Sequence, residues 1–407
     1  MRPRVLIVAT LDTKGVEADF VRRRLEACGV ATLLADAGTL GAPLAKPDVE
    51  REELLRRAGS SLEELRAKGD RGEAVRAAAA GARALALELE ARGELLGVLG
   101  LGGSAGTTIA TEAMRALPIG VPKLCVSTLA SGQTRGFVGD KDILLMNSVV
   151  DVLGVNRVSR RVLANAAHAM AGMVLRAGTD DERDDKPLVA ATMFGVTTAC
   201  VERAKRELEA HGLEVLVFHA TGVGGQAMES LVEDGLVSGV LDITTTELAD
   251  ELVGGVLGAG PDRLAAAARA GVPQVVSTGA MDMVNFHGPA TVPERFRGRR
   301  LHVHNAHTTL LRTTVEENAA LGRELGSKIA AARGPAEILL PSRGVSALDR
   351  AGAAFDDPAA RRALHDAVRA HAGHVPVREL DLHLNDEAFA LEAARTLLRL
   401  MGIVKPA

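Results

Sequence analysis

The sequence predicts an α/β protein made of two Rossmann-like, doubly wound domains with mainly parallel sheets, related by internal duplication. Three observations carry this expectation. Short apolar runs alternate with segments of helical period from Arg4 onward, the pattern of successive βαβ units. A polar, acidic segment, AGTDDERDDKP at 177–187, interrupts the pattern, which then begins again. Finally, three blocks recur in the same order on either side of that segment. VLIVATLDTKGVEADFVRRRLEACGVATLLAD parallels LVAATMFGVTTACVERAKRELEAHGLEVLVFH, LLGVLGLGGS parallels LVSGVLDITTT, and GVPKLCVST parallels GVPQVVST. The expected domains are residues 1–180 and 187–407.

Taken in order, residues 4–9 read as a strand, followed by a helix with Val16, Phe20, Val21, Leu25 and Cys28 on one face and Gly29 as its stop. A second strand follows at 30–35. The charged stretch 47–92 favours helix. A third strand at 95–101 runs into a glycine turn, a helix at 105–116 and a fourth strand at 122–127. In the second half a strand ends at His219, and HATGVGGQAMESLV turns into a helix with Met228, Leu231 and Val232 inward; further strand and helix signals continue to residue 401. The repeat sets Asp36-Ala37-Gly38 opposite His219-Ala220-Thr221, and Gly102-Gly103-Ser104 opposite Thr244-Thr245-Thr246. Both sheet tops thus carry small, glycine-rich or hydroxyl-rich turns, and a cleft shared between them is expected.

Composition narrows the function. The 407 residues are 47% hydrophobic and 25% charged, with a net charge of -4, no Trp or Tyr, and eight Phe. That leaves neither the basic face nor the stacking rings of a nucleic-acid binder. No apolar run reaches the roughly 18 residues of a membrane span, and the run before Asp12 is too short for a signal sequence, so a cytoplasmic protein without a membrane partner is expected. Cys28, Cys125 and Cys200 form no ligand spacing, and their odd number argues against a disulfide framework.

The chemistry concentrates in LLGVLGLGGSAGTTIATEAMRAL at 95–117. Gly100, Gly102 and Ala105 match a dinucleotide fingerprint, but that motif belongs after the first strand and needs an acidic residue at the end of the next; here that end is Ser127-Thr128. No Gly-Lys dipeptide occurs, which excludes a P-loop. GGSAG at 102–106 satisfies GxSxG, making Ser104 a candidate nucleophile with Asp242 or Asp282 and His304 as partners, although no histidine precedes His168 to build an oxyanion segment. The remaining reading is an anion cradle: bare backbone N–H groups at a helix start, helped by the hydroxyls of Ser104, Thr107 and Thr108. Lys14 supports it, because a cation in the first turn of a helix opposes the dipole.

The turn at 219–225 offers a second cradle with His219 at its tip. In TTTELADELV, Thr244 and Glu247 have capping-box spacing, with Glu247 as an alternative magnesium ligand or base. Two long strand-end loops, one with Arg135 and Lys141 and one with Asp282, Asn285 and His287, are expected to meet phosphate and a metal or polar substrate respectively. His302 and His304 alternate on a strand with His307 beyond it, without a carboxylate or cysteine at zinc-ligand spacing.

TLDTKG, GLGGSAGTT, HATGVGGQAME, VHN with a following LLRTT, PSRGVSALDRAGAAF and LHLND together resemble the bacterial relatives of the tomato mosaic virus resistance protein, over essentially the whole chain. The resemblance implies an ATP-binding region of two Rossmann-like subdomains, magnesium with the nucleotide, and a homodimer. It supports Thr13, Lys14, Gly102, Gly103, Ser104, Thr107 and the 219–225 turn as site residues. With the motif reading, the expected ligand-binding set is Asp12, Thr13, Lys14, Gly102, Gly103, Ser104, Thr107, Thr128, Thr221, Gly222, Gly224 and Gly225; His219 and Ser104 are the catalytic candidates, and the metal ligands stay unassigned. The expected function is binding of Mg-ATP between the two domains, with chemistry on a small carboxylate or carbonyl compound if the protein is an enzyme. A nucleotide-independent hydrolase or lyase using Ser104 or His219, and a non-catalytic nucleotide sensor, are the alternatives.

Overall fold

The computed structural model describes residues 2–177 and 185–405. It divides into two compact units, Met1–Arg183 and Asp184–Ala407. The acidic segment expected at the boundary falls largely on 178–184, outside the described residues.

The first unit runs β1 (Arg4–Ala9), α1 (Leu11–Ala27), β2 (Thr32–Asp36), α2 (Arg51–Arg57), α3 (Leu62–Lys68), α4 (Arg71–Ala91), β3 (Leu95–Gly102), α5 (Ser104–Arg115), β4 (Lys123–Ser127), α6 (Arg135–Val138), β5 (Leu144–Asn147) and α7 (Ser159–Arg176). Its strands are all parallel in the order β2-β1-β3-β4-β5. Helices cover both faces, so the central strands are buried on both sides and read as unbroken apolar runs such as VLIVA. In α1, Val16 is exposed rather than inward. The helix kinks at Lys14 (φ -125°, ψ 16°), and the buried stripe becomes Leu11, Gly15, Ala18, Val21 and Leu25. The 47–92 stretch resolves into α2, α3 and α4.

The second unit runs β6 (Leu188–Met193), α8 (Thr198–Ala210), β7 (Glu214–His219), α9 (Val223–Glu233), β8 (Gly239–Thr244), α10 (Glu247–Val253), α11 (Ala266–Ala270), β9 (Gln274–Gly279), β10 (Met283–Phe286), β11 (Leu301–Asn305), β12 (Thr308–Arg312), α12 (Val315–Ala330), β13 (Ala336–Pro341), α13 (Pro358–His371), β14 (Val377–Leu380) and α14 (Glu387–Leu400). Its parallel sheet has the order β14-β13-β9-β8-β6-β7. Read from β7, this is the order of the first unit with one strand added, so the duplication holds in topology.

One expectation fails here. The stretch 277–289 is not a long loop: it contains the end of β9 and then β10, which joins β12 and β11 in a small antiparallel sheet. Asp282 and Asn285 are therefore buried instead of open to a substrate. The three cysteines are free thiols; burial pushes Cys125 and Cys200 up to about 12, which leaves them unreactive. Among the described residues, no helix is long and apolar enough to cross a membrane.

Candidate functional site

In the order β2-β1-β3-β4-β5 the connections change direction between β1 and β3, and such a switch point leaves a crevice at the carboxyl ends of the strands. The first unit has a cavity of about 640 Å³ there. Thr10, Asp12, Thr13 and Lys14 reach it from the end of β1, Ala37, Thr39 and Leu40 from the end of β2, and Gly103 to Gly106 from the end of β3. Leu65, Ala74, Val75 and Ile109 form an apolar wall, and Arg66, Arg71, Asp70 and Asp151 rim it.

A buried carboxylate organises the first two turns. Asp36 accepts from the backbone N–H of Leu11 (3.0 Å) and Gly38 (2.8 Å) through Oδ1, and from Arg51 Nε (2.8 Å) through Oδ2. Asp12 then accepts from Leu40 N (2.8 Å) and Gly41 N (3.3 Å) through Oδ2, tying the start of α1 to the loop after β2. Arg66 clasps the same loop by donating to the carbonyls of Thr39 (3.2 Å) and Leu40 (2.8 Å). The Thr10 and Thr13 hydroxyls share a hydrogen bond of 2.9 Å, and Lys14 Nζ donates to the carbonyl of Val152, beside Asp151.

The glycines of the third turn have different reasons to be glycine. A Cβ on Gly100 would lie 2.2 Å from Ala110 Cβ, and one on Gly106 would lie 2.9 Å from the Leu101 carbonyl, so both serve close packing of α5 on β3. Gly102 sits at φ 155°, which an L side chain rarely adopts. Gly103 differs. Its φ is -82°, and a Cβ there would find nothing nearer than Thr128 Oγ1 at 3.7 Å. Packing does not require its bareness, and it faces the cavity. Gly103 also caps α5 without a side chain, so among the described residues the N–H groups of Ser104, Ala105 and Gly106 have no protein acceptor. Thr107 is fully buried, its hydroxyl 2.7 Å from Ser127 Oγ, and neither it nor Thr128 lines the cavity.

The second unit fills the corresponding place with its own side chains. Arg263 is wholly buried, donating to Glu247 Oε2 (2.6 Å), to both oxygens of Asp242 (2.5 and 2.7 Å) and to Glu229 Oε1 (3.2 Å). Glu247 Oε1 in turn accepts from the backbone N–H of Gly222 (2.7 Å) and Gly225 (3.1 Å). The 219–225 turn is thus an anion cradle whose anion belongs to the chain, and the amides of Gly222 and Gly225 are not open to a ligand. Gly224 is bare because a Cβ would lie 1.9 Å from the His219 carbonyl. The capping box is also absent: Thr246 is the N-cap of α10, so Glu247 stands at the first helical position and points to the glycines, not back to Thr244. Burial pushes the Glu247 carboxyl upward against the opposing pull of Arg263. His219 lies exposed at the tip of the edge strand β7, and Thr221 folds back onto its carbonyl (Oγ1 3.3 Å).

Comparison with known proteins places the chain. Its residues 3–179 match the N-terminal domain and 186–401 the C-terminal domain of the Uncharacterised protein family (UPF0261). The chain belongs to this family. It is 46% identical to a UPF0261 protein of Clostridium tetani (strain Massachusetts / E88) over 405 residues, 98% of this chain and 100% of the relative. A UPF0261 protein of Rhizobium meliloti (strain 1021) is 48% identical over 394 residues, covering 96% and 97%. The ToMV resistance protein Tm-1(GCR237) of Solanum lycopersicum is 47% identical over 303 residues, 73% of this chain and 40% of that protein.

For this UPF0261 protein, the geometry removes support from the serine-nucleophile reading. No histidine hydrogen-bonds to Ser104 among the described residues, and Ser104 is an ordinary helical residue without the strained backbone of a nucleophile elbow. Within the second unit, Asp242 is held by Arg263 and Thr192 and Asp282 by Ser346, so these two suggested partners are already engaged there, and His304 lies on β11. Among the described residues, no group of three or more His, Cys, Asp or Glu is placed to hold a metal ion. The site residues missed from the sequence are Asp36, Arg51, Arg66, Arg71 and Asp151 in the first unit and Arg263 in the second. Asp36 carried a readable signal, an acid ending an apolar strand; the arginines lie in unremarkable charged stretches.

Proposed function

We propose that the first unit binds a nucleotide, ATP with magnesium, in the cavity at its switch point. The observation that carries this is Gly103: a glycine that packing does not demand, bordering three backbone N–H groups that have no acceptor among the described residues, at the start of a 12-residue helix. Those amides and the Ser104 hydroxyl would receive phosphate oxygens, with the helix dipole favouring the charge. Thr13 supplies a further hydroxyl, and Arg71, which donates to no protein group among the described residues, a free guanidinium. The apolar wall of Leu65, Ala74, Val75 and Ile109 suits the base, and the volume of about 640 Å³ is in the range of small-molecule sites.

Magnesium needs only one or two protein carboxylates beside the phosphates. Asp70 is occupied in capping α4, while Asp12 keeps Oδ1 open and Asp151 accepts no hydrogen bond through its side chain among the described residues; these two would hold the ion. The bound ion would neutralise phosphate charge. Asp12 and Arg66 position the loop after β2 against the nucleotide. The resemblance to the tomato relatives supports ATP over other phosphorylated ligands. A scan of melting temperature against nucleotides tests the reading: Mg-ATP should stabilise the protein more than magnesium with inorganic phosphate, and equal shifts would sink it. Turnover assays with small carboxylic acids then decide whether the bound nucleotide is consumed.

A further inference from the structure

The second unit contains a separate cavity of about 330 Å³, next to the carboxyl ends of β13 and β14 and along α13. The nucleotide reading makes no use of it. Ser342, Arg361, Arg362, His365, Asp366, Arg369 and Glu379 are among the residues that line it.

Arg361 is 9% exposed. Its Nε donates to the Ser342 carbonyl (2.9 Å) and its Nη1 to Asp349 Oδ1 (2.8 Å), which leaves Nη2 without a protein acceptor among the described residues. Arg362, the next residue, is exposed and likewise donates to no protein group there. Two turns on, Arg369 is neutralised by Asp366 and Glu379. His365 lies between these arginines and is 3% exposed, with Thr278 Oγ1 at 3.4 Å as its only hydrogen-bond partner among the described residues. Burial, then the charges of Arg369 and Arg361, push its imidazole down to about 3, so it is neutral at physiological pH. Among the described residues, the lining thus presents two guanidinium edges without a protein acceptor and a buried, uncharged imidazole, beside the Asp366 and Glu379 carboxylates, which pair with Arg369.

We propose that this cavity binds a small oxyanion, the carboxylate or phosphate group of a metabolite-sized ligand, clamped by Arg361 and Arg362 and hydrogen-bonded by His365. Guanidinium forks match both oxyanions. The carboxyl ends of parallel strands are where α/β sheets take ligands, and the N-terminal turns of the 14-residue α13 add a favourable dipole.

Phenylglyoxal labelling of the full chain, followed peptide by peptide by mass spectrometry, tests this with inorganic phosphate and acetate as probes against chloride at constant ionic strength. At twice a probe's dissociation constant, two-thirds of the sites are filled, so Arg362 should be modified about threefold more slowly. Exposed Arg83 should keep its rate. The more protective probe identifies the oxyanion. His365→Gln should weaken protection of Arg362 without changing its rate in chloride. Equal rates of Arg362 modification in chloride, acetate and phosphate, or equal protection of Arg83, overturn the proposal. Undiminished protection in a folded His365→Gln chain overturns the role given to His365. If that variant does not fold, the comparison of Arg362 with Arg83 in the unaltered protein still decides the matter.

Discussion

Gly103→Val separates a ligand-binding turn from a merely tight one. The backbone at Gly103 is extended (φ -82°, ψ -153°), outside the left-handed region that favours glycine, and a Cβ there meets nothing nearer than 3.7 Å, so the fold has room for the change. The cost comes from replacing an N-cap glycine by a β-branched residue, about 1 kcal/mol. The two valine methyls would instead stand over the N–H groups of Ser104 to Gly106, where phosphate oxygens are to sit. A ligand at 100 times its dissociation constant adds about 2.7 kcal/mol. Since each kcal/mol is worth about 2–4 °C for a unit of this size, Mg-ATP should raise the Tm of the first unit by roughly 5–11 °C. Differential scanning calorimetry of both proteins, with magnesium alone as the reference, reads both numbers. The variant should melt a few degrees lower and show no nucleotide shift. A full shift in Gly103→Val removes the turn from the site; a variant that does not fold refutes the reading of Gly103 as unconstrained by packing.

Three further outcomes are expected. Arg263→Met should destabilise the second unit by about 3–5 kcal/mol in urea unfolding, because Asp242 and Glu247 would remain buried without their cation; a loss under 1 kcal/mol would mean water reaches them. Asp250, pushed up to about 7 mainly by burial, holds in the folded chain a proton that the unfolded chain releases near pH 4. Its stabilising contribution is therefore complete below about pH 4 and fades as pH rises to 7, by at most about 1.4 kcal/mol per pH unit. Asp250→Asn, which cannot ionise, should flatten that decline in pH-dependent unfolding and leave the share of Asp282, which is raised in the same way; an unaltered slope contradicts it. A fluorophosphonate probe should leave Ser104 unlabelled, since among the described residues no histidine hydrogen-bonds to it; stoichiometric adduct on the 104 peptide would restore the hydrolase reading.

Much of this architecture was legible in one dimension. The period of the apolar residues placed β1, β3, α5 and β4 to within a residue or two, and the recurrence of three blocks disclosed two sheets of like topology, because strand order follows from the connections and those were duplicated. The same pattern put Thr13, Lys14 and Gly103 at the ends of β1 and β3, which a parallel sheet brings side by side at its switch point. Local patterning could not reveal what lies across those ends. Glu247 has the spacing of a capping box, yet its carboxylate goes to Gly222 and Gly225 because Arg263, 16 residues away, sets the geometry. Gly102, Gly103 and Gly106 read alike as letters, but only the distances from a would-be Cβ to its neighbours separate those that pack from the one left facing open space. The sequence by itself determined the elements, their order and the repeat, since backbone period and turn chemistry are local. Only the tertiary structure decided that one copy of the duplicated switch point stays open and the other is closed by its own salt bridge, because burial of a charge is settled by partners distant in the chain.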